Sequence, residues 1–578
     1  MKELGRGLLV AVLLTGYAVQ AFGQPSFRNK PEIVPGEIIV KYKTPGPVDV
    51  NALAAIGLAR VKTFGNQQFM LGRITAGRNL EAVLQAFRGR PEVEYAEPNY
   101  KLYIYGAPAT PPVFPNDERF NELYGMHQSN DNDIDAPEAW GLTTGDPTLI
   151  VGIIDTGIDY DHEDLKANIW NNPGESGTKA NNRIDDDGNG YIDDFRGWNF
   201  VFNNNDPYDD NDHGTHCAGT LGAIGNNSKG VVGVNWQVKL MPLKFLGQDG
   251  SGTTAAAAEA IIYAVNNGAR VLSNSWGGGE ASQTLEDAIK YANQHGVIFV
   301  AAAGNDGLNN DVTANYPSNY SVANVVAVAS SDRNDNLSSF SNYGRATVDL
   351  AAPGSSILSC RPLNRYQLLS GTSMATPHVA GVCALVWAKY PQLTAQQVII
   401  RVLGGVDRKS AFIDRMVSGG RLNAANALST NPVIALTTDW RNTTNTSGPY
   451  PVETGVVDDG SVARVQLLYM LNGGAADTLN MTPTGTPDMY SAGIPGQPLN
   501  TEISYMVLAT DDQGNRTLGP TYNFKISSEP DPGDGGGCCG QQAVALNGAS
   551  ATTRFALGTP LNIAFFLLPL WLLRRRKR

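Results

Sequence analysis

One apolar run constrains the fold of this chain more than any other feature. Met374–Tyr390 has the length and composition of a helix, and Pro377 is tolerated because it falls in the first turn. Ser373 directly precedes the run, so it is predicted at a helix N-terminus, among unpaired N–H groups and the positive end of the helix dipole. A serine in this position is either a helix cap or a group placed where negative charge develops.

Two other segments favour the second interpretation. The run Ile150–Ile154 predicts a buried parallel strand, and it ends at Asp155. Active-site groups of open α/β sheets collect at such strand ends. The segment His213-Gly214-Thr215-His216-Cys217 places an imidazole among small residues that let the backbone pack closely around it. Asp, His and Ser then follow one of the known chain orders of a catalytic triad.

With these motifs the chain resembles the subtilisin-like serine proteases, or subtilases, from about Pro115 to Leu428. The resemblance implies an α/β fold with a mainly parallel sheet and helices on both faces. It also implies that Ser373 is the nucleophile, that His213 is its general base, and that Asp155 orients and stabilises the imidazole.

A fourth catalytic group is expected after the strand predicted at Val297–Ala303. The resemblance implies that the side chain of Asn305 donates to the oxyanion of the tetrahedral intermediate, together with the backbone N–H of Ser373. Taken alone, Asn305 could also be a turn residue before Asp306-Gly307.

The substrate-binding residues follow from the same resemblance. In this family an extended peptide adds as a strand between two backbone segments, with side-chain pockets for specificity. Small residues in the second segment predict an open pocket for the residue before the cut. Trp276 stands where the family usually has a smaller aliphatic residue, so it is expected to reshape this pocket. The implied residues are Ser275, Trp276, Gly277, Ala302 and Gly304.

An acidic loop predicts a calcium site. Asp185–Asp194 has oxygen ligands at positions 1, 3, 5 and 9 of an EF-hand-like loop and Gly at position 6. Position 12 is Arg196, so Asp194 is expected to supply the missing charge. The alternative is an acidic surface turn. The resemblance implies a second site, and calcium is expected to stabilise the fold without taking part in cleavage. The predicted ligands are Asp185, Asp187, Asn189, Asp193, Asp194, Asp164 and Asn227.

Two further histidines and the cysteines in the peptidase region are expected to be structural. His216 and His378 lie inside the motifs, and each is predicted to be packed and hydrogen-bonded. Cys217 and Cys383 are predicted to pack as small hydrophobes. Cys360 has no obvious partner, and the sequence leaves open a disulfide to either of them.

The chain has 578 residues, which is too long for a single domain. Its formal net charge of −12 argues against nucleic acid as a partner. The predicted divisions are a secretory signal peptide (1–23), an inhibitory propeptide (24–105), a peptidase domain (115–430), an immunoglobulin- or fibronectin-like β-sandwich (435–527), and a linker with a C-terminal membrane or sorting segment (528–578).

The propeptide is predicted from a strand at Gly36–Tyr42, a helix at Leu80–Phe87 and a last strand at Val93–Tyr100. It resembles the inhibitory propeptide of subtilases, whose last strand occupies the active-site cleft. The zymogen is expected to cut itself between about Tyr100 and Pro115.

Alternating segments at Val462–Tyr469 and Ile503–Ala509 predict the β-sandwich, whose role is spacing, substrate binding or stabilisation. Near the C-terminus, the apolar run Leu561–Leu573 precedes the basic cluster Arg574–Arg578. The run is shorter than the ~20 residues of a full span unless preceding residues extend it. This end resembles bacterial C-terminal sorting signals, with a simple tail anchor as the alternative.

The sequence therefore predicts an exported serine endopeptidase, extracellular or in the cell envelope and at least transiently anchored to a membrane. It would be made as a self-processed zymogen and act on proteins or peptides. Two alternatives are a subtilase with a narrow processing or peptide-transfer duty, and a non-catalytic envelope adhesion protein. The presence of Asp155, His213, Asn305 and Ser373 argues against the latter.

Overall fold

The computed structural model describes residues 33–100, with short gaps at 45, 47–48, 65–67, 76–78 and 89, and residues 110–529. The chain divides into two compact units, residues 1–109 and 110–578. The predicted signal peptide and almost all of the predicted segment 528–578 lie outside the described residues. Within the described ranges, no helix combines the length and apolar character needed to cross a bilayer. Membrane attachment stays a prediction.

The first unit is a small α+β fold. Its elements are β1 (Ile33–Tyr42), α1 (Val50–Ala55), β2 (Leu58–Phe64), β3 (Phe69–Ile74), α2 (Leu80–Arg88) and β4 (Val93–Tyr100). β1 lies between β3 and β4 and is antiparallel to both, and β2 pairs with β3. Val83, Leu84 and Phe87 of α2 are buried in one core with Ile38 and Val40 of β1. The strands and the helix predicted from hydrophobic spacing are confirmed here.

The second unit contains a mainly parallel sheet. Strands in this part are β5 (Gly145–Asp155), β6 (Trp198–Asn199), β7 (Gln237–Lys244), β8 (Val271–Asn274), β9 (Ile298–Ala302), β10 (Val325–Ser331), β11 (Leu350–Pro353), β12 (Ile357–Arg361), β13 (Arg365–Leu369), β14 (Asp407–Arg408) and β15 (Gly420–Arg421). The sheet order is β14-β15-β11-β10-β9-β8-β5-β7-β6, and β12 and β13 form a separate hairpin. Neighbours from β15 to β6 are parallel, and β14 is antiparallel to β15.

Helices cover both faces of this sheet. They are α3 (Ala136–Trp140), α4 (His213–Gly222), α5 (Thr254–Asn266), α6 (Gln283–Gln294), α7 (Thr372–Lys389), α8 (Ala395–Gly404) and α9 (Ala424–Ala427). Val151 and Ile153 of β5 belong to the hydrophobic cluster that includes α4 and α7, whereas Ile154 belongs to the cluster of α5 and α6. Because successive strand residues face opposite sides, burial on both faces requires a continuous apolar run, as β5 has.

The sheet brings the ends of distant segments together. β5, β8 and β9 are adjacent and parallel, so Asp155, Ser275 and Asn305 follow strands that end at the same edge. α4 and α7 pack against each other and begin at His213 and Thr372. The edge of the sheet and two helix N-termini therefore converge on one place.

The C-terminal part of the second unit is all-β. Its strands are β16 (Val433–Ala435), β17 (Tyr450–Val457), β18 (Val462–Leu471), β19 (Ala476–Asn480), β20 (Thr482–Pro483), β21 (Met489–Ile494), β22 (Glu502–Asp511), β23 (Arg516–Leu518) and β24 (Tyr522–Lys525). They form antiparallel sheets in the orders β16-β17-β21-β20 and β19-β18-β22-β23, with β24 also paired to β22. The prediction of an all-β region is confirmed, and its immunoglobulin or fibronectin likeness stays a prediction.

Candidate active site

Asp155 and His213 form a hydrogen-bonded pair. His213 Nδ1 lies 2.7 Å from Asp155 Oδ1, and Asp155 is 1% exposed. Burial of the ring lowers the pKa of His213, but the Asp155 carboxylate and Cys217 together raise it, so the pKa lies well above 6.5. Because the carboxylate accepts the Nδ1 proton, Nε2 of the neutral ring is left as the basic atom.

Ser373 is the second residue of α7, and its side chain is partly exposed. Its Oγ donates to the backbone oxygen of Ser275 at 3.0 Å, and among the described residues no hydrogen bond joins it to His213. Cys217 connects the two, since its Sγ lies 4.0 Å from His213 Nδ1 and 3.5 Å from Ser373 O. A rotation of the Ser373 hydroxyl is needed before proton transfer, as is common in enzymes without substrate.

Asn305 has a fixed amide orientation. Its Oδ1 accepts the N–H of Thr372 at 2.8 Å and the Thr372 hydroxyl at 3.0 Å, so Nδ2 is the outward-facing donor. A Cβ placed on Gly371 would lie 3.5 Å from both Asn305 Nδ2 and the backbone N of Ser373. The amide nitrogen of Asn305 and the backbone nitrogen of Ser373 therefore border one space next to Ser373, as the two donors of an oxyanion hole would.

Comparison with known proteins agrees with this geometry. Residues 146–409 match the subtilase family, and residues 26–99 match the fervidolysin N-terminal prodomain. The chain is 35% identical over 403 residues to the thermophilic serine proteinase of Bacillus sp. strain AK1, covering 69% of this chain and 89% of that protein. This chain belongs to the subtilase family. It is a serine endopeptidase with an N-terminal prodomain.

Two further proteins are similar to this chain. Thermitase of Thermoactinomyces vulgaris is 42% identical over 272 residues, which cover 47% of this subtilase and 84% of thermitase. A solved protease structure from Pseudoalteromonas arctica is 31% identical, with a TM-score of 0.45, and covers 54% of this chain and 98% of its own. The predicted fold class is confirmed: a subtilisin-like parallel sheet with helices, preceded by a prodomain and followed by an all-β region.

Among the predicted substrate-binding residues, Ser275 contacts the Ser373 hydroxyl directly. Besides accepting its hydrogen bond, Ser275 returns one, from its own Oγ to Ser373 O at 2.8 Å. The Trp276 ring packs edge-on against Phe245, with ring centroids 4.8 Å apart, within the hydrophobic cluster of α5 and α6. Ala302 is buried at the end of β9, and Gly304 has a φ of +111°, which favours glycine.

His216 and His378 are buried beneath the site. His216 Nε2 lies 3.0 Å from Ile357 O, and His378 Nδ1 lies 2.9 Å from Met374 O. Burial lowers the pKa of each ring to about 4, so both are neutral at pH 7. These contacts agree with the predicted structural roles of the two histidines.

The cysteines of the peptidase region are free thiols. Cys217, Cys360 and Cys383 are all buried, and none forms a disulfide in the described part of the chain. The sequence left open a disulfide from Cys360 to either of the others, and the structure has none there. Burial raises the pKa of each thiol, as expected for cysteines that pack as small hydrophobes.

The acidic loop brings together only part of the predicted ligand set. Carboxylate oxygens of Asp185, Asp187 and Glu175 lie within 4.8 Å of one another. Sequence reasoning missed Glu175, which is fully buried with its Oε2 unpartnered among the described residues. An acidic residue directly after the Pro173-Gly174 turn was the available signal.

Asn189 lies beside the three clustered carboxylates, since its Nδ2 donates to Asp187 Oδ2 at 3.3 Å. Asn189 Nδ2 donates to Asp194 Oδ2 at 2.9 Å, and Asp194 also accepts the hydroxyl of Tyr263. The Asp193 carboxylate accepts backbone N–H groups of residues 182 and 183 instead of facing the three clustered carboxylates.

The second predicted metal site also gains a carboxylate. Asp164 Oδ1 accepts Asn227 Nδ2 at 2.8 Å, so the two predicted residues do lie together. Asp117, which sequence reasoning missed, accepts the backbone N–H groups of residues 226 and 227. Burial, and to a lesser extent the nearby Asp164 carboxylate, raise the pKa of Asp117.

Proposed function

We propose that this subtilase cleaves peptide bonds with Asp155, His213 and Ser373, and that Asn305 and the backbone N–H of Ser373 stabilise the oxyanion. The observation that carries the proposal is the space next to Gly371, where a Cβ would lie 3.5 Å from both Asn305 Nδ2 and the backbone N of Ser373. This space lies next to Ser373 at the N-terminus of α7. The 2.7 Å bond between Asp155 and His213 supports the role of the histidine as base.

In this mechanism Ser373 Oγ attacks the carbonyl carbon of the scissile bond, and its proton passes to His213 Nε2. Asp155 stabilises the resulting imidazolium. The carbonyl oxygen becomes an oxyanion that accepts hydrogen bonds from Asn305 Nδ2 and the Ser373 N–H. When the bond breaks, His213 gives its proton to the leaving amine, and Ser373 holds the acyl group. A water molecule then gives a proton to His213 and attacks the acyl carbon. When the bond to Ser373 Oγ breaks, His213 returns the proton to Ser373, and the carboxylic acid product leaves.

The substrate is a protein or peptide segment in extended conformation, held by Ser275, Trp276 and Gly277 on one side and by Ala302 and Gly304 on the other. The reciprocal hydrogen bonds between Ser275 and Ser373 support this, because they place the first segment directly at the nucleophile. Strand addition would supply affinity through main-chain hydrogen bonds.

The enzyme is made as an exported zymogen. Residues 1–23 act as the signal peptide, 24–105 as the inhibitory prodomain and 115–430 as the peptidase, with a β-module at 435–527 and a sorting or anchoring segment at 528–578. The prodomain match at 26–99 and the division between units at residue 109 support a cut between about Tyr100 and Pro115.

Calcium ions stabilise the fold without joining the reaction. At the first site the ligands that fit are Asp185, Asp187 and the buried Glu175. Burying Glu175 Oε2 without a partner costs free energy, and a bound cation would offset that cost. At the second site Asp164 and Asn227 are joined by Asp117. Oxygen-only donor sets of this kind suit a hard cation, which would supply the charge that neutralises the clustered carboxylates.

The experiment compares the protein lacking only its signal peptide with its Ser373→Ala variant, both in calcium, using a fluorophosphonate probe and intact mass. Labelling and loss of a prodomain-sized fragment are expected in the wild type alone. Ser370→Ala is the matched control, since this exposed serine lies three residues away and accepts the N–H of Ser356. A folded wild type that neither labels nor processes would overturn the proposal.

A further inference from the structure

The sheet that contains β18 and β22 is apolar on both of its faces. Its inner face packs into the core of the all-β region through residues such as Leu467, Tyr505 and Val507. The residues between these point the opposite way, because successive side chains of a strand alternate between the two faces. A sheet that covers a core on one side usually has polar residues at the alternate positions. Several of the alternate residues here are apolar instead.

The apolar side chains of the outer face are neighbours across the strands. Leu468 of β18 lies opposite Met506 of β22. Leu508 of β22 lies opposite Leu518 of β23, and Met470 follows Leu468 on the same face. Leu518 is 57% exposed and the other four are half-buried. No hydrophobic cluster of the described residues includes any of the five, which we call the outer patch.

Basic side chains lie at both ends of the outer patch. Arg464 and Arg516 are each opposite Thr510, so the two arginines share one row of the outer face. Both are exposed, and neither forms a salt bridge within the described part of the chain. Glu502, the one acid at the described strand positions of this face, lies opposite Lys525 with the charged atoms 3.8 Å apart. The face is therefore positive, although the formal net charge of the chain is −12.

We propose that the outer patch and its two arginines dock on an anionic lipid bilayer. The apolar side chains would contact the boundary of the acyl chains, and the guanidinium groups would pair with lipid phosphates. Charge complementarity selects this partner, because anionic headgroups attract the basic ends of the face. A second copy packed on the same face would bring like charges together instead.

The position of this sheet in the fold agrees with contact to a bilayer. Ile400 of α8 packs on Gly455 of β17, which belongs to the opposite sheet, so the peptidase domain lies on the side away from the outer patch. β24 is in the same sheet as the patch and directly precedes the segment 528–578, for which the sequence predicts a membrane or sorting role. Stable attachment to a membrane commonly takes two signals, and the outer patch would be the second.

The test measures how fast hydrogen peroxide oxidises Met470 and Met506, using peptide mass spectrometry. The sample is the protein lacking only its signal peptide, inactivated with the fluorophosphonate probe. It is compared without vesicles, with vesicles of phosphatidylcholine, and with vesicles of phosphatidylglycerol and phosphatidylcholine in equal parts. Oxidation of both residues is expected to slow by about 5- to 10-fold on the anionic vesicles alone, at saturating lipid. Met481 and Met489 are buried in the same region and report any unfolding.

Variants test the two parts of the surface separately. Arg464→Gln combined with Arg516→Gln is expected to abolish the protection on anionic vesicles. Lys166→Gln combined with Arg333→Gln is the matched control, since it removes the same charge at exposed positions of the peptidase domain, and protection should remain. Leu518→Glu places a carboxylate in the outer patch, so it should abolish protection even though both arginines are present.

Three outcomes would overturn the proposal. The first is equal oxidation of the two methionines with and without anionic vesicles. The second is protection that persists on pure phosphatidylcholine or without the two arginines. The third is protection that needs no vesicles and rises with protein concentration, which would show that a second copy covers the face. Attachment through 528–578 alone would leave both methionines open to peroxide, and none of these results depends on cleavage by Ser373.

Discussion

The hydroxyl of Thr156 donates a hydrogen bond of 2.8 Å to the buried carboxylate of Asp209. The same hydroxyl accepts the N–H of Gly214 at 2.9 Å, and the Thr156 N–H donates to Asp155 Oδ1 at 2.7 Å. Asp209 therefore ties the strand end that carries Asp155 to the helix N-terminus that begins with His213. Sequence reasoning missed this carboxylate.

Asp209 is a positioning residue, and Asp209→Asn is expected to lower kcat by about 10- to 100-fold with little change in KM. The amide would keep one acceptor but turn an N–H₂ group toward the donors that the carboxylate now binds, and sub-ångström misplacement of catalytic groups is costly. The pH profile is the discriminating measurement, because a loosened Asp155–His213 pair lowers the pKa of His213. Asp206→Asn, an exposed carboxylate three residues away, is the control. Equal profiles for both variants would contradict the role.

As the pH falls, kcat/KM is expected to fall on an acid limb whose midpoint lies above pH 6.5. His213 must be neutral to accept the serine proton, and its pKa lies well above that value because Asp155 and Cys217 together raise it against the effect of burial. Activity should therefore rise as the pH rises through this pKa. Asp155→Asn is expected to lower kcat/KM by about 10⁴-fold, the scale seen for the equivalent change in a serine protease triad, and to move the limb to lower pH. A limb that stays in place would refute the electrostatic role of Asp155.

Glu175→Gln is expected to lower the melting temperature when calcium is bound and to raise it when calcium is removed. With the ion bound, loss of one carboxylate weakens binding, so the melting temperature should fall below that of the wild type. With chelator, the variant should melt higher than the wild type, because it removes repulsion within a cluster whose oxygens lie within 4.8 Å. Calorimetry in both buffers checks this. Glu280→Gln, the same change at an exposed glutamate outside this loop, should show no such crossing.

The sequence predicted the parts of the site that lie at the ends of regular elements. Asp155 closes an apolar strand, His213 opens a helix and Ser373 directly precedes a long apolar run, so pattern marked their positions and the resemblance to subtilases implied their roles. His216 and His378 lie inside the same motifs, and the sequence predicted structural roles for both. The fold class followed from the resemblance to subtilases, and the continuous apolar run of β5 agrees with it because such a strand needs cover on both faces.

Residues that act through tertiary contact could not be found in this way. Glu175 and Asp117 join their carboxylate partners only after folding. The ring of Trp276 was expected to reshape the substrate pocket, but sequence could not show that Phe245 holds it within a hydrophobic cluster.

The all-β region is predicted to unfold together with the peptidase domain. Ala435 of β16 and Val457 of β17 belong to the same hydrophobic cluster as Ile400 of α8, and Ile400 is fully buried. A Cβ placed on Gly455 would lie 3.2 Å from Ile400 Cδ1, so the helix side chain packs directly on β17. The two parts share a core, which makes independent unfolding unfavourable.

Ile400→Ala should therefore destabilise both parts at once. Truncation of a fully buried isoleucine costs about 2–5 kcal/mol, through lost burial and the cavity left behind. A single calorimetric transition is expected in the wild type and the variant, shifted to lower temperature in the variant and coincident with loss of peptidase activity. Ile262→Ala on α5, where the side chain is 40% exposed, is the control and should shift the transition much less. Two separate transitions in the wild type would show that the all-β region is an independent module, and its role would then have to be sought in substrate binding or spacing.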